Sequence, residues 1–264
     1  MAEPPRFTRS LRVERQFVGG FPSFTLSPEK GPVSRLRVMH LHGGGYVEQI
    51  ARHHWRFATR LVRELGCAVT LPIYPLAPHH DHRDVLPMVW RAYEHHLAPF
   101  AEEHRVVSGD SAGGGLCLAL AQTLRERGEP QPARMALFSP WLDLSLPDPL
   151  SNRIEPADPM LGVAGLRQAG RWYAAEDGLA DPKVSPVYAD LSGFGPIAVF
   201  IGTRDVLLPE SRRLREDAEA KDVPLRYHEY PGMFHNWIMQ PVPEASEAMR
   251  ELVSFLTTPT AQSA

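Results

Sequence analysis

The chain has 264 residues, of which 43% are hydrophobic, with 28 basic against 31 acidic side chains. This length is sufficient for one large hydrophobic core, and the near balance of charge creates no strong field to attract nucleic acid or an anionic membrane. The N-terminal stretch is polar and rich in arginine, and no uncharged stretch reaches membrane-spanning length. We therefore expect a cytoplasmic protein of one domain, without a nucleic-acid partner and without membrane insertion.

The predicted elements begin with a hairpin and continue with strands and helices that alternate. In chain order, the hydrophobic pattern predicts strands at 11–18, 21–26, 36–41, 67–73, 104–108, 133–138, 196–201 and 225–230, and helices at 55–65, 85–97, 114–127, 164–176, 210–221 and 244–256. Alternation of this kind is typical of a parallel sheet covered on both faces, because parallel neighbours need crossover connections. Between about 141 and 195 the alternation stops, and prolines and aspartates indicate an insertion.

A G-x-S-x-G pattern, "GDSAG" at 109–113, follows the strand predicted at 104–108 and leads into a helix. In such a strand-turn-helix the serine lies on a sharp turn with its hydroxyl exposed, and small neighbours are needed to avoid collisions. The alternative is a helix cap, in which Asp110 or Ser111 accepts hydrogen bonds from free amides. The strand before the pattern and the helix after it favour Ser111 as a nucleophile.

A serine hydroxyl is a weak nucleophile at neutral pH, so it needs a base and usually an acid that orients the base. His235 comes just after the strand predicted at 225–230, and Asp205 comes just after the strand predicted at 196–201. Ligands bind beyond the carboxyl ends of parallel strands, so both side chains belong to the correct edge. The alternatives are a packed loop histidine and a helix-capping aspartate. The chain order Ser111, Asp205, His235 is that of α/β-hydrolases.

Three glycines follow the strand predicted at 36–41, in the stretch "HGGGY" at 42–46. Backbone N–H groups that stabilise an oxyanion must approach it closely, which favours residues without side chains. We predict that Gly43, Gly44 and Ala112 supply these donors. A phosphate cradle is disfavoured because the lysine and hydroxyl of the P-loop are missing, and the dinucleotide spacing also fails. The absence of tetrahedral Cys/His spacing also predicts no metal site.

Several motifs stand in an order and spacing that belong to one known family. They are "HGGG" at 42–45, "YPLAP" at 74–78, "GDSAGG" at 109–114, Asp205, and "YPGM" at 230–233 with His235. On these motifs the chain resembles the bacterial hormone-sensitive-lipase-like esterases of the α/β-hydrolase superfamily. The resemblance implies an α/β-hydrolase fold, with a mostly parallel central sheet, helices on both faces and a small cap built from about 1–10 and the insertion at about 141–195.

The same resemblance implies a serine hydrolase that cleaves carboxylic esters of short to medium acyl chains without a cofactor. We expect a Ser-His-Asp triad and a covalent acyl-enzyme, with a small-molecule ester as substrate. Tyr46 and Trp237 are predicted to contact that substrate. Many members of the family dimerise, so a homodimer is one option.

Three departures from the family pattern leave the substrate open. Gly115 stands where asparagine is common, Val206 where proline is common, and Asn236-Trp237 where glycine and phenylalanine often follow the histidine. An amidase or formamidase with the same triad is one alternative to an esterase. A non-catalytic small-molecule receptor on the same fold is another.

Overall fold

One eight-stranded sheet organises residues 3–258, the part of the chain that the computed structural model describes. Its strands are β1 Leu11–Val18, β2 Phe21–Pro28, β3 Arg37–Leu41, β4 Ala68–Pro72, β5 Arg105–Asp110, β6 Arg134–Phe138, β7 Ile197–Gly202 and β8 Leu225–Tyr230. They lie in the order β1-β2-β4-β3-β5-β6-β7-β8. The β1–β2 hairpin is antiparallel and joins β4 antiparallel, whereas β3 to β8 are parallel. The predicted fold class, a mostly parallel sheet, is confirmed.

Helices cover both faces of this sheet. They are α1 Arg52–Leu65, α2 His82–His96, α3 Ala112–Glu126, α4 Pro149–Ile154, α5 Val163–Ala174, α6 Leu208–Ala220 and α7 Glu244–Thr257. Successive side chains of a strand point to opposite faces. Accordingly Val38 of β3 packs in the cluster that contains α1 and α7, while Met39 packs in the cluster that contains α2, α3 and α6.

Helix α1 shows how the sequence specifies one of these elements. Its buried apolar residues recur at spacings of three and four, which places them on one face of the helix: Trp55, Ala58, Leu61, Val62 and Leu65. Gly66 ends the helix in the left-handed conformation, with a φ of 60°. The helix begins three residues earlier than predicted because His54 Nδ1 accepts the N–H of Ala51 at 2.9 Å and so caps the first turn.

The predicted insertion contains the two helices α4 and α5 joined by turns. Residues 3–10 are the described part of the N-terminal cap element predicted at 1–10. Phe7 packs against α1, where the guanidinium groups of Arg52 and Arg56 lie 5.5 and 5.9 Å from its ring centroid. Residues 1, 2 and 259–264 of the predicted domain lie outside the described residues.

Gly113 permits the close packing of α3 behind β3. A Cβ at this position would lie 1.9 Å from the carbonyl oxygen of Leu41 and 2.8 Å from that of His42. We expect Gly113→Ala to lower the free energy of unfolding by about 3 kcal/mol, because the strand backbone would have to move. Urea unfolding followed by circular dichroism measures this change.

The matched control is Gly178→Ala, at an exposed glycine where no atom lies within 4 Å of the added Cβ. This variant should unfold within about 0.5 kcal/mol of the wild type. Equal unfolding midpoints for Gly113→Ala and Gly178→Ala would contradict the steric role of Gly113.

Candidate active site

Ser111 lies on the sharp turn between β5 and α3, with φ 51° and ψ −121°. Residues with side chains rarely adopt a positive φ, so the surrounding structure must hold this conformation in place. The Ser111 N–H donates to the carbonyl of Phe138 at 2.9 Å, and the Ser111 carbonyl accepts from Trp141 N–H at 2.9 Å. The side chain makes no capping hydrogen bond to α3. The helix-cap alternative for Ser111 is therefore excluded.

His235 and Asp205 lie side by side after the two adjacent strands β8 and β7. His235 Nδ1 is 3.0 Å from Asp205 Oδ2, and both side chains are buried. Asp205 Oδ1 accepts the N–H of Leu207 at 3.0 Å, so the carboxylate also satisfies a backbone amide just before α6. The capping and the pairing roles of Asp205 thus use different oxygens and coexist.

The environment of His235 makes its imidazole more basic. Burial by itself lowers the pKa of His235, but the charge and the hydrogen bond of Asp205 act in the opposite direction, with smaller contributions from Asp158 and Asp110. The net result is a pKa raised above the ordinary value of 6.5. A histidine with a raised pKa accepts a proton more readily, which is the property a general base needs.

Ser111 and His235 line the same cavity, whose volume is about 330 Å³. Gly44 and Gly45 form part of its wall, and the start of α1 contributes His53. The insertion supplies another part of the wall, through residues on and just before α5: Met160, Leu161, Gly162, Gly165, Leu166 and Ala169. The structure therefore brings the predicted nucleophile and base to the wall of one cavity, together with Gly44 of the predicted glycine loop.

The prediction that Gly43 donates to an oxyanion is wrong. The N–H of Gly43 already donates to Asp110 Oδ1 at 3.0 Å, and a Cβ at Gly43 would lie 2.3 Å from Asp110 Oδ2. Gly43 is therefore small because it packs against Asp110. Gly45, which the sequence analysis did not select, lines the cavity together with Gly44. Across residues 3–258, the amides of Gly44, Gly45 and Ala112 donate to no protein group.

Asp110, which directly precedes Ser111, is a buried carboxylate with hydrogen bonds from three separate segments. The donors are Gly43 N at 3.0 Å, His54 Nε2 at 3.2 Å and Asn236 Nδ2 at 2.7 Å. His40 Nε2 lies 3.3 Å from the same carboxylate. Burial by itself raises the pKa of Asp110. The interactions with His54 and His40 lower the pKa by more than burial raises it, so the net pKa is well below 3.8. The sequence pattern indicated Asp110 only as a helix cap, because the partners of its carboxylate lie far away along the chain.

Tyr46 and Trp237, predicted to contact the substrate, are packing residues instead. Each is 1% exposed. The Tyr46 ring stacks on Tyr173 at a centroid distance of 3.7 Å, and the Trp237 ring packs against Tyr230 at 4.4 Å. Tyr46 belongs to the hydrophobic cluster that contains α2, α3 and α6, and Trp237 belongs to the cluster that contains α1 and α7. Both rings therefore pack in the core.

Within residues 3–258, no group of three His, Cys, Asp or Glu side chains is arranged to hold a metal ion. No helix in the same range is both long and apolar enough to cross a membrane.

Comparison with known proteins agrees with this arrangement. A model of the α/β-hydrolase fold family matches residues 38–239. An esterase from Acinetobacter venetianus is 32% identical over 225 residues, which cover 84% of this chain and 74% of that protein. An acetyl-hydrolase from Streptomyces hygroscopicus is 31% identical over 85% of this chain and 76% of its own length. An esterase from the bacterial hormone-sensitive lipase family, solved by crystallography, is 31% identical with a TM-score of 0.87 over 94% of this chain and 84% of that chain.

The fold and the site thus define an α/β-hydrolase, and the sequence match extends over most of the sheet. The chain belongs to the hormone-sensitive-lipase-like esterase family of the α/β-hydrolase superfamily, as its motifs predicted. Its class is that of a carboxylic ester hydrolase.

The buried Asp110 carboxylate should stabilise the fold in a pH-dependent way. A folded-state pKa below the unfolded value of about 3.9 stabilises the protein above that pH, and the contribution is lost as pH falls through the folded-state pKa. We expect Asp110→Asn to lower the free energy of unfolding by about 3 kcal/mol at neutral pH. The difference from the wild type should shrink below about pH 4.

Urea unfolding across the range from about pH 7 to about pH 3 measures this difference. The exposed carboxylate Asp222 provides a control, because Asp222→Asn should change the free energy of unfolding by less than about 0.5 kcal/mol at neutral pH. A destabilisation by Asp110→Asn that stayed constant down to pH 3 would show that the charge of Asp110 is not what stabilises the fold.

Proposed function

We propose that the chain hydrolyses carboxylic esters of short to medium acyl chains through a Ser111–His235–Asp205 triad and a covalent acyl-enzyme. One observation carries the proposal: Ser111, on its strained turn, lines the same cavity as a histidine whose Nδ1 is 3.0 Å from a buried carboxylate. The relatives named as an esterase and an acetyl-hydrolase support this substrate class.

The pairing of His235 with Asp205 determines which imidazole nitrogen acts as the base. Nδ1 donates its hydrogen to Asp205, so Nε2 carries the free lone pair and accepts the Ser111 proton. The Ser111 oxygen attacks the acyl carbon, and His235 then returns the proton to the departing alcohol. Water, activated by His235 in the same way, releases the acid and restores the serine.

The negative oxygen of each tetrahedral intermediate needs donors that are already in place. The amides of Gly44, Gly45 and Ala112 are suited to this task, because they have no partner in the described part of the chain and lie beside Ser111. Loss of one such donor typically raises the barrier by about 3 kcal/mol. The Asp110 carboxylate accepts the N–H of Gly43 and so fixes the glycine loop, while the next two residues, Gly44 and Gly45, line the cavity.

The cavity agrees with substrates of limited size. Its volume of about 330 Å³ lies near the lower end of the range for small-molecule sites. Gly162 and Gly165 keep the wall formed by the insertion open, and a Cβ at Gly165 would meet no atom within 4 Å. Leu161 and Leu166 line the cavity beside these glycines and offer an apolar surface for an acyl chain of a few carbons.

The first test removes the nucleophile. Ser111→Ala should lower the kcat for hydrolysis of p-nitrophenyl butyrate by about 10⁴-fold or more, because the acyl-enzyme cannot form. A fluorophosphonate should label the wild type and fail to label this variant. Ser246→Ala, at an exposed position of α7, is the control and should retain full activity. Wild-type turnover by Ser111→Ala would exclude Ser111 as the nucleophile.

The second test concerns the pH dependence of the base. His235 must be neutral to accept a proton, so kcat/KM should fall toward acid pH with an apparent pKa above 6.5. Asp205→Asn removes the interaction that raises this pKa, so the acid limb should move to lower pH. The maximum rate should also fall by about 10² to 10⁴, because the imidazole loses its orienting partner.

The profile is recorded from about pH 5 to about pH 9 with p-nitrophenyl butyrate, and Asp222→Asn, an exposed carboxylate beyond α6, serves as the control. An acid limb at the same pH in Asp205→Asn and the wild type would mean that Asp205 does not act on the catalytic base.

A further inference from the structure

Asn236, which directly follows His235, occupies an unusual conformation and a buried position. Its φ is 51° and its ψ is 28°, in the left-handed region, and it is 5% exposed. Asparagine tolerates this region better than most residues with side chains. Its N–H donates to Ser139 Oγ at 3.1 Å, which anchors the histidine loop to the end of β6.

The side chain of Asn236 joins the histidine loop to the nucleophile turn. Its Nδ2 donates to Asp110 Oδ2 at 2.7 Å, the shortest of the hydrogen bonds to that carboxylate. Asp110 and Ser111 are consecutive, and so are Asn236 and His235. A single buried hydrogen bond therefore connects the residue before the nucleophile with the residue after the base.

We propose that Asn236 is a positioning residue that fixes the His235 imidazole relative to the Ser111 hydroxyl through its hydrogen bond to Asp110. The inference rests on the proposed Ser111–His235–Asp205 triad. The bond to Asp205 orients the imidazole ring about Nδ1, and the bond from Asn236 to Asp110 sets where the loop carrying that ring lies relative to the turn. Misplacement by about 1 Å can reduce a rate by about 10².

The chemistry of the pair requires a donor at residue 236. The Asp110 carboxylate only accepts hydrogen bonds, and its buried charge must be compensated. Glycine, which often stands at this position in the family, adopts the left-handed conformation without strain but brings no donor. Aspartate has the shape of asparagine but would place a second carboxylate against Asp110, where the two charges repel.

Two substitutions separate positioning by hydrogen bonding from simple packing. Asn236→Gly keeps the backbone conformation and deletes both the side-chain volume and the donor. Asn236→Asp keeps the volume and replaces the donor by an acceptor. If the hydrogen bond positions His235, Asn236→Asp should lose more activity than Asn236→Gly. If only the volume of the side chain matters, Asn236→Gly should lose more activity than Asn236→Asp.

We expect kcat for p-nitrophenyl butyrate to fall about tenfold in Asn236→Gly and about 100-fold in Asn236→Asp, with KM within about twofold of the wild type. Turnover is expressed per serine labelled at the end point by a fluorophosphonate, so that unfolded protein is not counted. The rate constant of that labelling should fall in parallel with kcat, because it depends on the same base. Asp222→Gly, at another left-handed residue beyond α6, is the control and should leave all three values unchanged.

A wild-type kcat in Asn236→Gly, or a higher kcat in Asn236→Asp than in Asn236→Gly, would overturn the inference. If Asn236→Asp does not fold, the parallel loss of kcat and labelling rate in Asn236→Gly still decides it. These outcomes leave the proposed function intact as long as Ser111→Ala is inactive. An active Ser111→Ala variant would instead overturn the triad itself.

Discussion

The charge of Asp110 is the constraint around which the site is arranged. An ionised carboxylate removed from water is costly unless hydrogen-bond donors surround it. Here Gly43, His54 and Asn236 supply those donors from three different segments of the chain. Each donor sits next to a functional part of the site, namely the glycine loop, the cavity wall of α1 and the histidine loop. The requirement to satisfy one buried charge thus draws the parts of the site together.

The three departures from the family pattern have physical reasons in the structure. A Cβ at Gly115 would lie 2.5 Å from the carbonyl oxygen of Trp141 and 2.8 Å from the Tyr46 hydroxyl, so a larger residue does not fit this arrangement. The N–H of Val206 donates to Asp158 Oδ2 at 3.1 Å, a bond that proline could not make. Asn236 provides the donor to Asp110. Each departure therefore accompanies a specific contact in this structure.

The sequence was sufficient to predict the features that depend on the local hydrophobic pattern and on which residues follow the strands. Hydrophobic periodicity located the strands and main helices, and the positions of Ser111, Asp205 and His235 after parallel strands placed them at one edge. The glycine loop was misassigned by one residue, because which of three consecutive glycines faces the cavity depends on the contact between Gly43 and Asp110, 67 residues away. Tyr46 and Trp237 were misassigned because an aromatic ring near a site motif serves equally well in the core.

The insertion that lines the cavity is also attached to the loop that carries Asp205. Asp158 accepts the N–H of Val206, and Arg204 Nε donates to the carbonyl of Ala157 at 2.9 Å, so contacts on both sides of Asp205 reach the insertion. These anchors lie before the residues that face the cavity, 160–169. The residues that line the cavity are therefore separate from residues 157 and 158, which contact the neighbours of Asp205. One segment thus both lines the cavity and supports the Asp205 loop, through different residues.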